Sequence, residues 1–551
     1  MEGYQTATIE KIKLKNYRSI NAPIEIIFPG KTPMIFVGEN NAGKSNIIKA
    51  INIILGEFWP GSYEPEDHEF YGRDCSNDIE IKVYFSSCDL YGGRYAVIRW
   101  FCDLKNEIHP ITFLGNYSED SQGKYINNND RDSCICILVD ADRSLDYHLS
   151  YKSKWTFLSR LMHRFHRALM ERDETKQELE RLFQETKEKF REVEEFSDFE
   201  NSLQNDFDDL VASMTHRLQV DFQAYNPVNF FHALRLQAAE GNSIRTIEEL
   251  GTGEEQILAI AFAHAYAKAF HGEILLIIEE PEAHLHPLAQ RWLATKIREM
   301  ANDGLQIVIT THSPAFLDIL GLDGIVLVRK ENGSTRVKQI SAKQLAEFCI
   351  QKGANPARTD ASTILPFYSN SATTDILEGL FAKKVVLVEG TTESMSLPIY
   401  LSKVGLNVTK EGIALIPVLG KGNLAKWWRF FKIYEIPTYI IFDNDMTDDK
   451  QCKKRIDALK SIGIPGIQID QLLTQESWII EDHFALFGKD FETVLRSHFQ
   501  DYKQIEEEAK SKIGDSSKPL VARYVAEHLG KSSETGWSKI TELKIKLGNI
   551  K

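Results

Sequence analysis

The sequence has few of the features that would take it outside an ordinary globular fold. No apolar run approaches the roughly 18 residues that a membrane-spanning helix needs, so no membrane partner is expected. The N-terminal stretch MEGYQTATIEKIKLKNYRS has no apolar signal-peptide core, and a cytoplasmic location is expected. The seven cysteines include no C-x-x-C pair, which argues against a disulfide or zinc framework. Cys134 and Cys136 alternate within an apolar run, expected as the two faces of a strand holding reduced, buried thiols. There are no internal repeats and no low-complexity tracts. A basic excess is missing too, since 65 Lys+Arg stand against 79 Asp+Glu, a formal net charge of −14. That excludes a polybasic, histone-like DNA binder. It does not exclude a nucleic-acid enzyme, because carboxylates that hold metal ions also count as negative charge.

What is present divides into halves. Residues 382–551 hold 25 Lys+Arg and 23 Asp+Glu, so the acidity belongs to residues 1–381. With about 100–200 residues per domain, the 551 residues predict several domains. The pattern predicts an ATPase N-terminal lobe over 1–150, a helical insertion over 151–217, and an ATPase C-terminal lobe over 218–340. A polar linker is expected over 341–381, a second α/β domain over 382–482 and a helical extension over 483–551. Runs such as IEIKVYF and YAVIRWF predict an antiparallel sheet arm within 79–140. Leu179, Phe183, Phe190 and Val193 recur at helical spacing among many charges. That reads as a solvated helical insertion or as a dimer-forming helix pair.

Gly38-Glu-Asn40-Asn41-Ala-Gly43-Lys44-Ser45 fits G-x-x-x-x-G-K-[ST], following an apolar strand and opening a helix. Backbone N–H groups freed by the glycines cradle phosphates. Lys44 is expected at the β/γ-phosphates, and Ser45 at a magnesium ion. ILLIIEEPEAHLHP supplies the partner strand, with Glu279 for the magnesium and Glu280 to polarise the attacking water. The polar turn LGTGEEQ, with Gly251 and Gly253, is an anion site that can complete a second subunit's nucleotide pocket. His312 ends another buried strand and is expected near the γ-phosphate.

A second acidic set follows. VVLVEGTTE places Glu389 at a strand end and Glu393 in the next helix. IIFDND places Asp443 and Asp445 past another strand end, two residues apart and therefore on one side. Open α/β sheets bind ligands at that edge. Clustered carboxylates repel unless a cation neutralises them, and oxygen-only ligands suit Mg²⁺ or Mn²⁺. The glycine-rich turn VLGKGN at 418–423 is expected to face the same place.

The motif order resembles ABC ATPases of the RecF/SMC kind. KNYRSI resembles their N-terminal motif, which implies that Arg18 approaches the nucleotide. The strand-end glutamate followed by D-x-D is the Toprim pattern. Together with EEPEAHLHP and TTHSP, the chain resembles the OLD (overcoming lysogenization defect) family. The resemblance covers most of the chain. It implies an α/β fold: an N-terminal ABC-type P-loop ATPase with a β arm and helical insertion, then a C-terminal Toprim α/β domain with a helical tail. It implies a nucleotide-dependent dimer, with ATP between two subunits and one metal ion beside it. It also implies a two-metal DNA endonuclease in anti-phage defence, acting alone or beside a partner such as a retron or helicase. Glu481, in WIIEDHF, resembles a later acidic ligand of such Toprim domains, and Lys518 resembles the family's C-terminal lysine, placed to stabilise charge on a cleaved phosphate. The rival readings are an ATP-driven DNA clamp or sensor with an inactive Toprim domain, a topoisomerase or primase, and an enzyme acting on RNA. The clamp keeps no use for intact carboxylates, and no nucleophilic tyrosine domain or polymerising context is identifiable.

Overall fold

The computed structural model describes residues 7–140 apart from 57, 87–89, 92, 117–122, 128–129 and 131–133, short stretches between 172 and 265, and residues 274–550 apart from 446–448, 514–516 and 531–534. The chain divides into two compact units, Met1–Leu138 with Gly272–Lys551, and Val139–His271.

In the first unit, β1 (Ile9–Lys15), β2 (Ile24–Ile27), β3 (Met34–Val37) and α1 (Lys44–Leu55) open the fold. They are followed by β4 (Ile79–Phe85), β5 (Val97–Asp103), β6 (Ile108–Gly115) and β7 (Ile135–Val139). The β-rich region expected as an arm is instead the far side of one antiparallel sheet, ordered β2-β1-β4-β5-β6. Leu14 lies opposite Ile81 and Ile12 opposite Val83, so the alternating apolar faces of β1 and β4 coincide. That face shares its core with Ile47, Ile51 and Ile54 of α1. Cys134 and Cys136 are both buried in this core, because residues two apart in extended chain share a side.

In the second unit, α2 (Asp173–Arg191) realises the expected amphipathic helix, with Arg181 paired to Glu178 and Glu185 on its exposed side. β8 (Gln237–Glu240) and β9 (Ser243–Thr246) form an antiparallel pair. Most of the remaining insertion, including Phe190's side chain, lies outside the described residues.

Back in the first unit come β10 (Ile274–Glu279), α3 (Pro287–Asn302), β11 (Gln306–Thr310), β12 (Ile325–Glu331) and β13 (Ser334–Gln339). The second sheet runs β13-β12-β3-β11-β10-β7. β10, β11, β3 and β12 are mutually parallel. All four residues of β3 are buried, as expected for a central parallel strand covered on both faces. The carboxyl ends of β3, β10 and β11 therefore open at one edge.

The expected polar linker is not loose. It folds into α4 (Ala342–Gln351), α5 (Ile364–Ser369) and α6 (Thr374–Glu378). Their Leu345, Ile364, Tyr368 and Ile376 enter a core that also holds Leu327 of β12 and Trp427, Phe430 and Tyr434 further on. Burying each large apolar side chain stabilises by roughly 1.5–3 kcal/mol. One shared core thus joins the two halves of the chain into a single unit.

The C-terminal half contains β14 (Lys384–Val388), α7 (Thr391–Lys403), β15 (Ile413–Pro417), α8 (Leu424–Ile433), β16 (Thr438–Asp443), α9 (Asp449–Ser461), α10 (Gly466–Leu473), β17 (Ile479–Ile480) and β18 (Phe484–Phe487). The sheet order is β15-β14-β16-β18-β17, parallel except for β17. β18 lies beyond residue 482, so the region expected as a purely helical extension completes the sheet first. Then follow α11 (Phe491–His498), α12 (Tyr502–Ile513), α13 (Lys518–His528) and α14 (Thr535–Gly548).

Candidate active site

Two clusters lie at the carboxyl edges of two parallel sheets. In the first, the chain leaves β3 through Gly38 at φ 142° and enters α1 through Gly43 at φ 110°. A side chain at Gly38 would place its Cβ 2.0 Å from the Val328 carbonyl oxygen, so only glycine fits. Lys44 folds back over this loop, its Nζ donating to the carbonyls of Gly38 (2.8 Å) and Glu39 (3.0 Å). Burial lowers the Lys44 ammonium to about 8, against the pull of Glu280, Glu282 and Glu39. Glu280 follows β10 with φ 48°, and its N–H donates to the Thr310 carbonyl (2.9 Å). His312 Nε2 lies 3.9 Å from Glu280 Oε1. Burial and the nearby Lys44 hold the imidazole below its usual pKa.

Lys44, Glu280 and His312 thus lie close together, with Glu279 at the end of β10 opposite Thr310. Ser45, Asn40 and Asn41 are exposed around the loop. Gly253 is helical and belongs to the other unit, while Gly251 lies outside the described residues. Glu282, which the sequence reading passed over, accepts from the His312 N–H (2.6 Å) and the Thr311 hydroxyl (2.8 Å) and so fixes the histidine loop.

Arg18 is held by an acidic neighbour. Its guanidinium is engaged by Glu69 Oε1, 2.6 Å from Nη2, and Glu69 also receives the Tyr17 and Tyr63 hydroxyls. These donors hold Glu69 ionised, below its usual pKa despite burial. The next residue of the motif, Ser19, meets the phosphate loop directly. Ser19 Oγ bonds Thr335 Oγ1 (2.7 Å) and accepts from Asn46 Nδ2 (2.7 Å), and Thr335 donates to the Ala42 carbonyl (2.8 Å).

The second cluster begins where β14 ends at Val388 beside β16. Glu389 and Asp443 leave adjacent parallel strands, and the Asp443 N–H points to Glu389 Oε2 (3.5 Å). Glu393 is buried in the first turn of α7, where its Oε2 accepts from the Gly390 N–H (3.1 Å). Burial, then the Glu389 charge, raise its carboxyl to about 7. Asp443 is pushed well above the carboxylate range by burial and by Glu393 and Glu389. Its Oδ1 is buried without a hydrogen-bond partner.

Asn444 explains the spacing of the two aspartates. It is fully buried, its Nδ2 donates to the carbonyls of Leu473 and Gln475 (both 3.1 Å), and its Oδ1 accepts from Arg455 (2.6 Å). Asp445 follows with φ 31°. Lys421, from the glycine-rich turn, sits between the acids. Its Nζ is ion-paired with Asp445 and lies 3.4 Å from Glu389 Oε2, and its side chain is 1% exposed.

Glu481 is not brought here. β18 runs parallel to β16, with Phe484 opposite Ile440 and Phe487 opposite Asp443. Glu481 precedes β18 and therefore sits at the opposite edge, exposed, with its carbonyl accepting from the Tyr439 hydroxyl (2.9 Å). The acid at the correct edge is Glu492. The chain leaves β18 beside the aspartates, with Asn444 N–H donating to the Phe487 carbonyl (2.8 Å) and Asp445 N–H to the Lys489 carbonyl (2.9 Å). Burial raises the Glu492 carboxyl, while Lys518 at the start of α13 lowers it. Glu492 in turn helps raise Glu393. Its signal is its place five residues after the apolar strand β18, beside the Asp490 that caps α11.

The residues fit a hard divalent cation. All donors are oxygens, and a buried carboxylate oxygen without a partner among other carboxylates is costly unless a cation meets it. Among the described residues, no three His, Cys, Asp or Glu side chains are already drawn into a metal cage. Lys421 stands between two of them.

The AAA ATPase domain family model matches residues 8–154 and 103–317, together over half of the chain. The Overcoming lysogenization defect protein-like TOPRIM domain matches residues 380–445, the span of Glu389, Asp443 and Asp445. The chain belongs to the OLD nuclease family. An OLD nuclease of Thermus scotoductus is 26% identical over 80% of this chain and 82% of its own length. The Old nuclease of Escherichia phage P2 is 26% identical over 42% of this chain, and endonuclease GajA of Bacillus cereus is 24% identical over 44%. The chain spans 38% of the length of each of these two. OLD nucleases join an ATP-binding AAA ATPase domain to a Toprim nuclease domain, and the family is implicated in anti-phage defence. Among the described residues, no helix is long and apolar enough to cross a membrane.

Proposed function

We propose that this OLD nuclease is an ATP-regulated, metal-dependent DNA endonuclease whose cutting site is the second cluster. The observation that carries the reading is the buried, unpartnered Asp443 Oδ1 facing Glu389 and Glu393 at the sheet's carboxyl edge. Glu389, Glu393, Asp443, Asp445 and Glu492 are assigned to hold Mg²⁺ or Mn²⁺, with Glu492 in the place expected for Glu481. Bound divalent ions supply an activated water and a charge clamp on the scissile phosphate. Asn444 aims the two aspartates. Lys518 lies where its ammonium can offset charge on the phosphate beside Glu492.

At the first cluster, Lys44 and the loop N–H groups hold the ATP phosphates, Ser45 and Glu279 hold its metal ion, and Glu280 orients water with His312 beside it. We assign a homodimer that closes over ATP. Leu288 and Trp292 support it, lying one turn apart on α3 at 69% and 64% exposure. DNA is the assigned substrate, and a further defence partner is compatible with the reading.

The test is cleavage of supercoiled plasmid by the full chain with Mg²⁺ or Mn²⁺, with and without ATP. Metal-dependent nicking or linearisation that changes with ATP in the wild type, but not in Lys44→Ala, supports the reading. No cleavage under any metal and nucleotide condition favours the ATP-driven clamp.

A further inference from the structure

The turn after β15 puts a lysine where a metal ion is proposed to bind. Gly420 adopts φ 118°, and its N–H donates to the Glu389 carbonyl (2.9 Å), which ties the turn to the end of β14. Asn423 Nδ2 donates to the Val418 carbonyl (2.9 Å) and closes the turn on itself. The next residue after Gly420 is Lys421, whose side chain is 1% exposed and whose ammonium meets Asp445 and Glu389. A buried ammonium is costly unless paired, so this placement is specific. The oxygens it meets, Asp445 Oδ2 and Glu389 Oε2, belong to two of the proposed metal ligands. The third strand-end acid, Asp443, keeps an oxygen without a partner.

We propose that Lys421 is an internal counter-ion that competes with the divalent cation for Glu389 and Asp445. It is a positioning residue. Without metal it holds the repelling carboxylates at the sheet edge. When the cation binds, Asp445 turns to the cation and the ammonium is released from the pair. The affinity of the site is thereby set below what the carboxylates alone would give. The inference rests on the metal-nuclease reading above.

Two measurements test it, both on the nucleotide-free full chain, with Mn²⁺ as the probe and its electron paramagnetic signal reporting free metal. The first compares binding isotherms. Removing the ammonium that the cation must displace from Asp445 and Glu389 is expected to tighten Mn²⁺ binding at least roughly tenfold in Lys421→Met, while Lys421→Arg stays near the wild type. Unchanged or weaker binding by folded Lys421→Met overturns the competition. The second uses the wild type alone and so does not depend on a variant folding. An amine-acylating reagent, read by mass spectrometry, is expected to label Lys421 weakly without metal and more strongly with Mn²⁺. Equal protection in both conditions overturns the release. If wild type and Lys421→Met both fail to bind Mn²⁺, the metal reading itself fails. If the wild type binds and Lys421→Met binds no tighter, only the role of Lys421 fails.

Discussion

Lys383, one residue before β14, reaches Glu39 of the phosphate loop, Nζ to Oε2 3.9 Å. Beside it, Arg329 of β12 donates to the carbonyls of Ala382 (2.7 Å) and Lys383 (3.2 Å). Phe381 lies against His312, with ring centroids 6.5 Å apart. The segment 381–383 therefore touches the nucleotide cluster on one side. On the other it leads directly into β14, which ends at Val388 just before Glu389. A change in the phosphate loop has a short route to the proposed cutting site, through this ion pair and then along β14.

That route yields the first prediction. Lys383→Ala should barely alter stability, because both partners are substantially exposed and such pairs are worth about 0–1 kcal/mol. Arg329→Ala should cost roughly 1–3 kcal/mol, because it leaves the part-buried Ala382 carbonyl without its donor. In Arg329→Ala the response of cleavage to ATP should shrink while ATP binding persists. Plasmid cleavage with and without ATP, set beside an ATP-binding isotherm, checks it.

Glu492 and Glu481 separate cleanly. Glu492→Gln should lower metal-dependent cleavage by about a hundredfold or more, as for loss of a metal ligand or its support. Glu481→Gln should stay close to wild type, since its side chain stands at the other edge of the sheet. Initial rates on one plasmid substrate decide between them.

The difference between these glutamates shows what the sequence could reveal. An acid that ends an apolar strand is legible when the strand is long and its direction follows from the neighbouring helix, as with Glu389 and Asp443. Glu481 rests on the resemblance of WIIEDHF alone, and β17 has two residues and turns straight into β18, so no strand direction in the sequence places that acid at either edge. The same limit applies to α4–α6, where polar surface residues outnumber Leu345, Ile364, Tyr368 and Ile376 and hide a packed core. The turn VLGKGN was legible as facing the acids, but only the fold shows that Lys421 within it pairs with Glu389 and Asp445.

Asn444 should tolerate little change. Asn444→Ala removes the acceptor of a buried Arg455 and the donor shared by the carbonyls of Leu472, Leu473 and Gln475. A loss of about 3–5 kcal/mol is expected for breaking such a buried charged contact. Thermal unfolding should show it, and Mn²⁺ affinity should fall with it because Asp443 and Asp445 lose their support.

Acid should loosen the support of Glu492. Arg496 of α11 grips Glu506 of α12 through two bonds of 2.7 Å. This holds the Glu506 carboxyl below its usual pKa. A depressed carboxyl contributes its stability fully above the unfolded value, about 4.3. The contribution is lost as pH falls through the lower folded value. With Arg496 over a third exposed, solvent screening limits it to about 1 kcal/mol. Glu506→Gln should therefore be less stable near neutrality and show a flatter acid limb in melting temperature against pH.

The central claim is that the Asp443 cluster cuts DNA with a divalent cation, and cleavage of supercoiled plasmid in Mn²⁺ by Asp443→Asn tests it most directly. The substitution keeps size and fold while removing the charge of the unpartnered carboxylate. The account predicts that the wild type nicks or linearises the plasmid and that Asp443→Asn, folded and still binding ATP, does not. Cleavage by Asp443→Asn at the wild-type rate would contradict it.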